Sequence, residues 1–178
     1  MKATGIVRRI DDLGRVVIPK EIRRTMRIRE GDPLEIFTDR DGEVIFKKYS
    51  PIGELGDFAA QICDSLHRST DAIAAVCDRD SIIAVSGASK RDFIDKRVSP
   101  ALERVMESRG SVRYDGTEPM HVIDGDERYY VSVASPILSE GDILGCVVFV
   151  SQNASAGSDI EFKLAQTVAS FLDKQMES

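Results

Sequence analysis

The basic N-terminal segment limits the fold most, because it is too short to bury a core without help. Residues 1–50 hold about four short β-type runs and one helical turn, separated by clusters of Asp, Gly and Pro. A segment below roughly 70 residues needs a metal, a disulfide or a partner chain to be stable. Neither cysteine nor histidine occurs before residue 50. The segment is therefore predicted to be an obligate dimer.

Local residue chemistry predicts the elements of this segment. Asp11–Gly14 is typical of a tight turn. Pro19 suits the first turn of a helix, whose apolar residues Ile22 and Met26 are expected to face inward. The predicted elements are, in order, strands at 2–10 and 15–18, a helix at 19–26, and a hairpin with strands at 34–38 and 43–47.

The charge of the chain is divided unevenly. The net charge is −6 at pH 7, yet residues 1–50 hold 12 basic and 9 acidic residues, and residues 51–178 hold 12 basic and 21 acidic residues. A net charge of +3 on one part and −9 on the other is typical of a nucleic-acid contact carried by a single domain. The basic part is therefore predicted to contact a polyanion, and the acidic part is predicted to have another role.

The composition changes near Ser50, so we predict a linker at 51–56 and a second domain at 57–178. Helical periodicity alternates there with apolar strands, which predicts an α+β fold with helices packed on an antiparallel sheet. Ser99 and Ser158 each stand where they can cap a helix. No apolar run is long enough to cross a membrane and no secretory signal begins the chain, so a cytoplasmic protein is expected.

The run Leu13-Gly-Arg-Val-Val-Ile-Pro19, with Arg8 and the pair Arg23 and Arg24 around it, resembles the DNA-binding domain of the AbrB transition-state regulators. In that family two chains exchange hairpins and build one interlocked, barrel-like dimer. The resemblance implies that Arg8, Arg15, Arg23 and Arg24 contact DNA. The guanidinium group suits this task, because its planar fork can form two parallel hydrogen bonds with a phosphate.

The second domain resembles a GAF domain, a sensor fold that commonly holds a small molecule between its sheet and the covering loops. Here those loops would be residues 87–98 and 114–127. They carry no chromophore or metal signature, so a ligand is possible but unidentified. The two domains together resemble the sporulation regulators of spore-forming bacilli. That resemblance implies activation and repression of genes in the late forespore.

The first and last helices of the second domain carry apolar residues at spacings of three and four. One stripe is Leu55, Phe58, Ile62 and Leu66, and the other is Ile160, Leu164, Val168 and Phe171. Each stripe fits either a helical bundle between chains or a helix packed on its own sheet. If both domains self-associate, the chain forms a tetramer as a dimer of dimers.

Other function classes find less support in the sequence. An antitoxin with the same N-terminal fold would carry a short, partly disordered tail in place of a patterned domain of about 128 residues. An enzyme with a dimerising basic arm is a third possibility, but no nucleophile motif or phosphate-binding loop supports it. Cys63 and His67 stand four apart, yet two ligands make no zinc site, so no metal is predicted.

Overall fold

The computed structural model describes residues 3–177, which separate into two units between Tyr49 and Ser50. We call them the N-terminal unit and the C-terminal unit. The N-terminal unit contains helix α1 (Lys20–Met26) and strands β1 (Leu34–Thr38) and β2 (Val44–Lys48). The two strands pair in antiparallel register around the turn at residues 39–43, as the sequence predicts.

The predicted strands at 2–10 and 15–18 are wrong for a single chain. Lys2 lies outside the described residues, and residues 3–10 and 15–18 join neither of the sheets in the part of the chain that the structure describes. Their sequence suits strands, but a strand needs a neighbour whose backbone can pair with it. In the turn between the two segments, the Asp11 amide donates a hydrogen bond to the Arg15 carbonyl at 2.9 Å.

Helix α1 differs from its prediction at both ends. Pro19 is the residue before the first helical turn rather than the first helical residue, and its side chain is buried. Ile22 is half-buried, but Met26 is 55% exposed, so the predicted inward face is wrong at that residue. A helix of two turns has little to pack on within so small a unit, and its C-terminal end therefore remains open to solvent.

The C-terminal unit is an α+β fold built on one five-stranded antiparallel sheet, in the strand order β4-β3-β7-β6-β5. The strands are β3 (Ile73–Asp78), β4 (Ile82–Ser86), β5 (Val112–Arg113), β6 (Tyr130–Ser139) and β7 (Asp142–Ser151). The helices are α2 (Gly56–Thr70), α3 (Lys90–Phe93), α4 (Pro100–Ser108) and α5 (Asp159–Met176). The sequence pattern did not reveal α3 or β5, which span only four and two residues.

Each face of the sheet carries its own apolar core. One face packs against α2 and α5, with Phe149 and Leu172 at the contact. The other face packs against α3, α4 and the loops that follow them, with Phe93 and Leu102 fully buried. Successive side chains of a strand point to opposite faces, so β3 supplies Ala75 to one core and Val76 to the other.

Both predicted helix caps are present. The Ser99 hydroxyl accepts a hydrogen bond from the Leu102 amide at 3.0 Å and donates one to the His121 carbonyl at 2.6 Å. Ser158 and Glu161 form a reciprocal capping box at the start of α5. The side chains at these positions satisfy amides that the first turn of a helix leaves without a partner.

Residues 51–56 are helical, where the sequence led us to expect a linker. Residues Ile52–Leu55 form a 3-10 turn that leads directly into α2. Ile52 is fully buried in the core beneath α2 and α5. Burial of this single apolar side chain attaches the segment to the C-terminal unit.

The inner faces of α2 and α5 differ from the predicted stripes. The buried residues of α2 are Ala59, Cys63 and Leu66, and those of α5 are Ala165, Ala169 and Leu172. Of the two predicted stripes only Leu66 is buried, while Ile160 and Phe171 are exposed. Small residues face the sheet and let each helix approach it closely, which turns the larger side chains towards the flank. None of the helices within residues 3–177 combines the length and the apolar character that a membrane span needs.

Candidate nucleic-acid interface

A tight loop at residues 11–15 presents the first of the predicted DNA contacts. The Asp11 carboxylate closes the loop, with one oxygen accepting hydrogen bonds from the amides of Leu13 (3.0 Å) and Arg15 (2.8 Å). Gly14 adopts a φ of +75°, which L-residues with a side chain rarely adopt. Its amide donates to the Asp11 carbonyl at 3.1 Å. The backbone of Arg15 is thereby held in one position.

The second oxygen of the same carboxylate holds the side chain of Arg15. The distance from Arg15 Nε to Asp11 Oδ2 is 2.9 Å, and the Arg15 side chain is 70% exposed. Hydrogen bonds from the Arg15 amide, and then from its guanidinium group, lower the pKa of Asp11 below its ordinary value. The carboxylate therefore stays ionised at neutral pH. Sequence reasoning assigned Asp11 only to the turn and missed this contact, although an acidic residue four before an arginine was the available signal.

Helix α1 presents the second pair of arginines. Arg23 Nε donates to the Ile18 carbonyl at 3.1 Å, which ties the side chain back to the segment before the helix. Arg24 is exposed on the next position of the helix. Adjacent helical residues diverge by about 100°, so the two guanidinium groups point in different directions. The helix ends at Met26, and the next residue, Arg27, adopts the left-handed conformation.

All four predicted DNA-contact residues are exposed in the single chain. The structure ties Arg15 and Arg23 to the segment 11–18, the first through a side chain and the second through a carbonyl. Within residues 3–177, Arg8 and Arg24 make neither an ion pair nor a side-chain hydrogen bond. All four guanidinium groups therefore keep at least their terminal nitrogens available to a polyanion.

The N-terminal unit also exposes an unusual amount of apolar surface. Val7 is 87% exposed, Ile10 73% and Val17 69%. The apolar surface of the N-terminal unit consists of Ile6, Val7, Ile10, Leu13, Val16, Val17, Met26, Ile36, Phe37, Val44 and Phe46. A large amount of exposed apolar surface favours an interaction site in a soluble protein.

A groove of about 1150 Å³ lies on the C-terminal unit beside α4. Ser99 and Arg104 line it from the helix, and His121 lines it from the following loop. Arg128, also at the groove, is engaged by Asp126 at 2.6 Å and by Asp92 at 3.5 Å. The Nδ1 atom of His121 is buried and has no hydrogen-bond partner. Of the two arginines at the groove, Arg128 is bonded to carboxylates, whereas Arg104 has no carboxylate partner among the described residues.

The position of this groove differs from the expected cavity. Residues 87–98 and 114–127 do cover one face of the sheet, but Phe93, Val98 and Val122 fill the space between them and the sheet. The groove lies between α4 and residues 118–128 instead, so part of the second covering loop lines it. A packed interior leaves no room for a ligand without displacement of several side chains.

The three cysteines are buried and free. Burial raises the pKa of the Cys63 thiol to about 12. Cys77 and Cys146 face each other across β3 and β7, and their contact together with burial raises the pKa of Cys77 well above its ordinary value. His67 does not turn to Cys63, because its Nδ1 lies 2.8 Å from the Ala72 carbonyl. Residues 3–177 contain no group of three side chains that could hold a metal ion.

Comparison with known proteins identifies a family that matches nearly the whole chain. Residues 54–177 match the family model described as stage V sporulation protein T C-terminal, transcription factor. Stage V sporulation protein T of Bacillus subtilis (strain 168) is 56% identical over 178 residues, which cover 99% of this chain and 99% of that protein. The chain belongs to the stage V sporulation protein T family. Membership of this family makes it a transcription factor rather than an enzyme.

The N-terminal part of this family member has relatives of its own. Residues 7–53 match the model described as antidote-toxin recognition MazE, bacterial antitoxin. Transition state regulatory protein AbrB of Bacillus subtilis (strain 168) is 63% identical over 51 residues, which cover 29% of this chain and 52% of AbrB. The solution structure of the N-terminal DNA recognition domain of AbrB covers 28% of this chain and 91% of that chain, at 61% identity and a TM-score of 0.24. The predicted resemblance to AbrB is confirmed.

The C-terminal unit has the predicted GAF fold. It resembles the GAF domain of a phosphoenolpyruvate-protein phosphotransferase from Coxiella burnetii, with a TM-score of 0.56 and 17% identity. The match covers 69% of this chain and 82% of that domain. This likeness confirms the fold of a stage V sporulation protein T family member.

Proposed function

We propose that this transcription factor binds double-stranded DNA as a homodimer through residues 1–50, with Arg8, Arg15, Arg23 and Arg24 as the contacts. It would regulate genes of the late forespore in the cytoplasm, as an activator at some promoters and a repressor at others. Residues 57–178 would sense a small molecule and assemble the oligomer. The observation that carries the proposal is the exposure of four arginines on a unit that a single chain leaves incomplete.

Exposure of apolar side chains supports the dimer. The sequences of residues 3–10 and 15–18 favour β-strands, but neither segment pairs with a strand within the described chain. Val7 and Val17, which belong to these segments, are largely exposed. A second copy that pairs with them would satisfy their amides and carbonyls and bury the apolar surface of the N-terminal unit at the same time. Residues 1–50 by themselves are then expected to sediment as a folded dimer.

Charge and geometry support DNA as the partner. Residues 1–30 hold 9 basic and 4 acidic residues. A dimer doubles the number of guanidinium groups and carries two copies of the loop at residues 11–15 and of helix α1. Neutralised phosphates release counterions, so binding of this kind weakens as the salt concentration rises. The AbrB domain, 61% identical to this part of the chain, is described as a DNA recognition domain.

Alanine substitutions test the DNA contacts. Arg8→Ala, Arg15→Ala, Arg23→Ala and Arg24→Ala should each weaken binding and lower the salt slope by about 0.9 per lost phosphate contact. Arg40→Ala is the matched control, because Arg40 is an exposed arginine in the β1–β2 turn. Gel-shift titrations at several salt concentrations measure both quantities. Normal binding by all four variants would refute the assignment.

The groove beside α4 is the proposed sensor site, because the space behind the covering loops is packed. A bound metabolite stabilises the native state, so it should raise the melting temperature of the C-terminal unit. A panel of amino acids, nucleotides and organic acids is screened against the full chain. Arg104→Ala should remove the shift, whereas Glu107→Ala, an exposed change on the same helix outside the groove, should keep it. A panel without any shift would leave assembly as the role of this unit.

The exposed ends of α5 support a second contact between chains. Ile160 and Phe171 are exposed, and Phe171 stacks near Phe58 of α2 with ring centroids 6.0 Å apart. Contact through this flank would join two dimers into a tetramer. Phe171→Glu should reduce the assembly to a dimer in sedimentation. Glu107→Lys, an exposed charge reversal on α4 on the other face of the sheet, should not. An unchanged tetramer in the Phe171 variant would show that the contact between dimers does not involve this flank of α5.

The antitoxin alternative has one observation in its favour, the match of residues 7–53 to an antitoxin model. That match describes the small N-terminal fold. The remainder of the chain is a five-stranded sheet with two cores rather than a short tail that folds on a toxin. Regulation of transcription therefore accounts for more of the chain.

A further inference from the structure

The Asp11 carboxylate is bonded to a proposed DNA contact, and closure of the loop accounts for only one of its two oxygens. Both of its oxygens are in use, one on the amides of Leu13 and Arg15 and the other on Arg15 Nε. An exposed ion pair contributes little to folding. A negative charge at a surface that binds DNA also repels phosphates. The contact therefore needs another explanation.

The geometry of the bond between Asp11 and Arg15 suggests why the contact is present. Asp11 bonds only the Nε atom, so it fixes the plane of the guanidinium group and leaves both terminal nitrogens without a partner among residues 3–177. Those two nitrogens form the fork that bonds a phosphate or the edge of a guanine in a bidentate manner. A side chain already held in one orientation loses less freedom when it binds.

Arg23 is held in the same manner by a different group. Its Nε donates to the Ile18 carbonyl at 3.1 Å, which again leaves the terminal nitrogens free within the described chain. Arg8 and Arg24 have no such bond there. Two of the four proposed contacts are thus oriented in advance and two are not. Oriented contacts select DNA by geometry, while mobile cations add affinity for any duplex.

We propose that Asp11 is a positioning residue that orients Arg15 and thereby raises the preference for selected DNA sequences over other duplexes. This inference rests on the proposed contact between Arg15 and DNA. Asp11 acts at the expense of general affinity, because its charge opposes the phosphates. The hydrogen bonds from Arg15 lower the pKa of Asp11, so this charge persists to a lower pH than that of an unbonded carboxylate.

The test compares Asp11→Asn with Asp12→Asn in the full-length chain. Both changes remove one negative charge from the same turn, but Asp12 is exposed and bonds no side chain in the described structure. Asparagine at position 11 keeps an oxygen for the two amides and places an NH₂ donor against Arg15 Nε. The probes are a duplex that the wild-type chain enriches from a random library and a shuffled duplex of the same composition.

The expected result concerns the ratio of the two affinities. Asp11→Asn should lower that ratio about fivefold or more, as expected when one bidentate contact loses its orientation. Asp12→Asn should leave the ratio unchanged and raise both affinities slightly. Equal ratios for the two variants, or a rise with Asp11→Asn, would overturn the inference. Melting curves confirm that both variants are folded.

Two further measurements ask whether Asp11 acts through Arg15. In an Arg15→Ala background, Asp11→Asn should change the ratio no further, and an undiminished effect would contradict the inference. The Arg15 Nε–H resonance should exchange slowly with water in the wild type and rapidly in Asp11→Asn. Should the asparagine variant unfold, Arg15→Lys leaves the loop intact and removes the fork, so a wild-type ratio for it would also overturn the inference.

Failure of the wider proposal gives a different pattern. Normal DNA binding by Arg15→Ala removes Arg15 from the interface, and the role of Asp11 is refuted with it. Weakened binding by Arg15→Ala together with equal behaviour of Asp11→Asn and Asp12→Asn refutes the role of Asp11 alone.

Discussion

Phe149 of the C-terminal unit is fully buried within one chain, whereas Val7 of the N-terminal unit is 87% exposed. The C-terminal unit places an apolar core on each face of its sheet. The N-terminal unit has a two-stranded hairpin and one short helix, and its remaining extended segments pair with nothing in the described chain. One sequence thus contains a unit with two apolar cores of its own and a unit that leaves many of its large apolar side chains exposed. The difference follows from size, because about 50 residues enclose too little apolar surface.

A charged residue in the apolar surface of the N-terminal unit should have the largest effect. Val17→Asp would bury a carboxylate in the proposed dimer contact, where it has no partner. We expect loss of the dimer and at least a hundredfold loss of DNA affinity, about 3 kcal/mol by the usual conversion. The melting transition of the C-terminal unit should persist, as calorimetry of the full chain would show.

Val17→Thr is the matched control for that change. Threonine keeps the branched shape and the preference for strands, so the dimer should survive. Retention of the dimer and of DNA binding by Val17→Asp would instead show that this surface faces water in the working protein.

A cavity in the C-terminal unit should produce the converse result. Phe149→Ala removes a fully buried ring between the sheet and its helices, at a cost of about 3–5 kcal/mol. Denaturant unfolding measures the loss. The N-terminal unit should still dimerise, and Phe162→Ala, a half-buried change on α5, should cost less. Loss of the N-terminal dimer in the Phe149 variant would show that the two units do not fold independently.

Alkaline pH should destabilise the C-terminal unit alone. Burial raises the pKa of Cys63 from 9.0 to about 12, so the folded state favours the neutral thiol. The resulting stability is complete below pH 9 and is lost as the pH rises towards 12. Between pH 9 and pH 10 the loss from this thiol is about 1 kcal/mol.

Denaturant unfolding at pH 7, 9 and 10 measures that dependence. Cys63→Ala is the control, since it removes this thiol and should reduce the alkaline decline by the share that the thiol contributes. The buried Cys77, whose pKa is also raised, keeps its own share. An equal decline in that variant would assign the pH dependence to other groups.

Loss of a helix cap should have the smallest effect. Ser99→Ala removes the hydroxyl that receives the Leu102 amide, at a cost of about 1 kcal/mol. It also frees the His121 carbonyl that lines the groove beside α4. Thermal melting measures the change, with Ser65→Ala on the exposed side of α2 as the control. A neutral Ser99 variant would show that the cap is redundant.

Sequence analysis succeeded where local chemistry decides the structure. Ser99 and Ser158 cap their helices because a hydroxyl before a helix meets unsatisfied amides whatever lies around it. The β1–β2 hairpin follows equally from its turn residues. The helix caps and the hairpin were therefore predictable without knowledge of the tertiary structure.

The predictions from sequence were wrong where residues distant in the sequence determine the local structure. Strand pairing at residues 3–10 and 15–18 depends on a neighbour that the described chain does not supply. Ile52 joins the C-terminal core because a sheet more than twenty residues away offers it a place. For the proposed DNA contacts, residue type and resemblance identified Arg15, but only the coordinates revealed that Asp11 holds it.

The unpaired segments of the N-terminal unit have a consequence for abundance. A fold completed by a second chain forms in proportion to the square of the free chain concentration, whereas a fold completed within one chain forms at any dilution. Under the proposed dimer, a low level of the protein would leave folded sensors without a working DNA surface. Occupancy of a promoter would then rise more steeply than the amount of protein. Promoter occupancy would therefore respond to a modest increase in synthesis as if a threshold had been crossed.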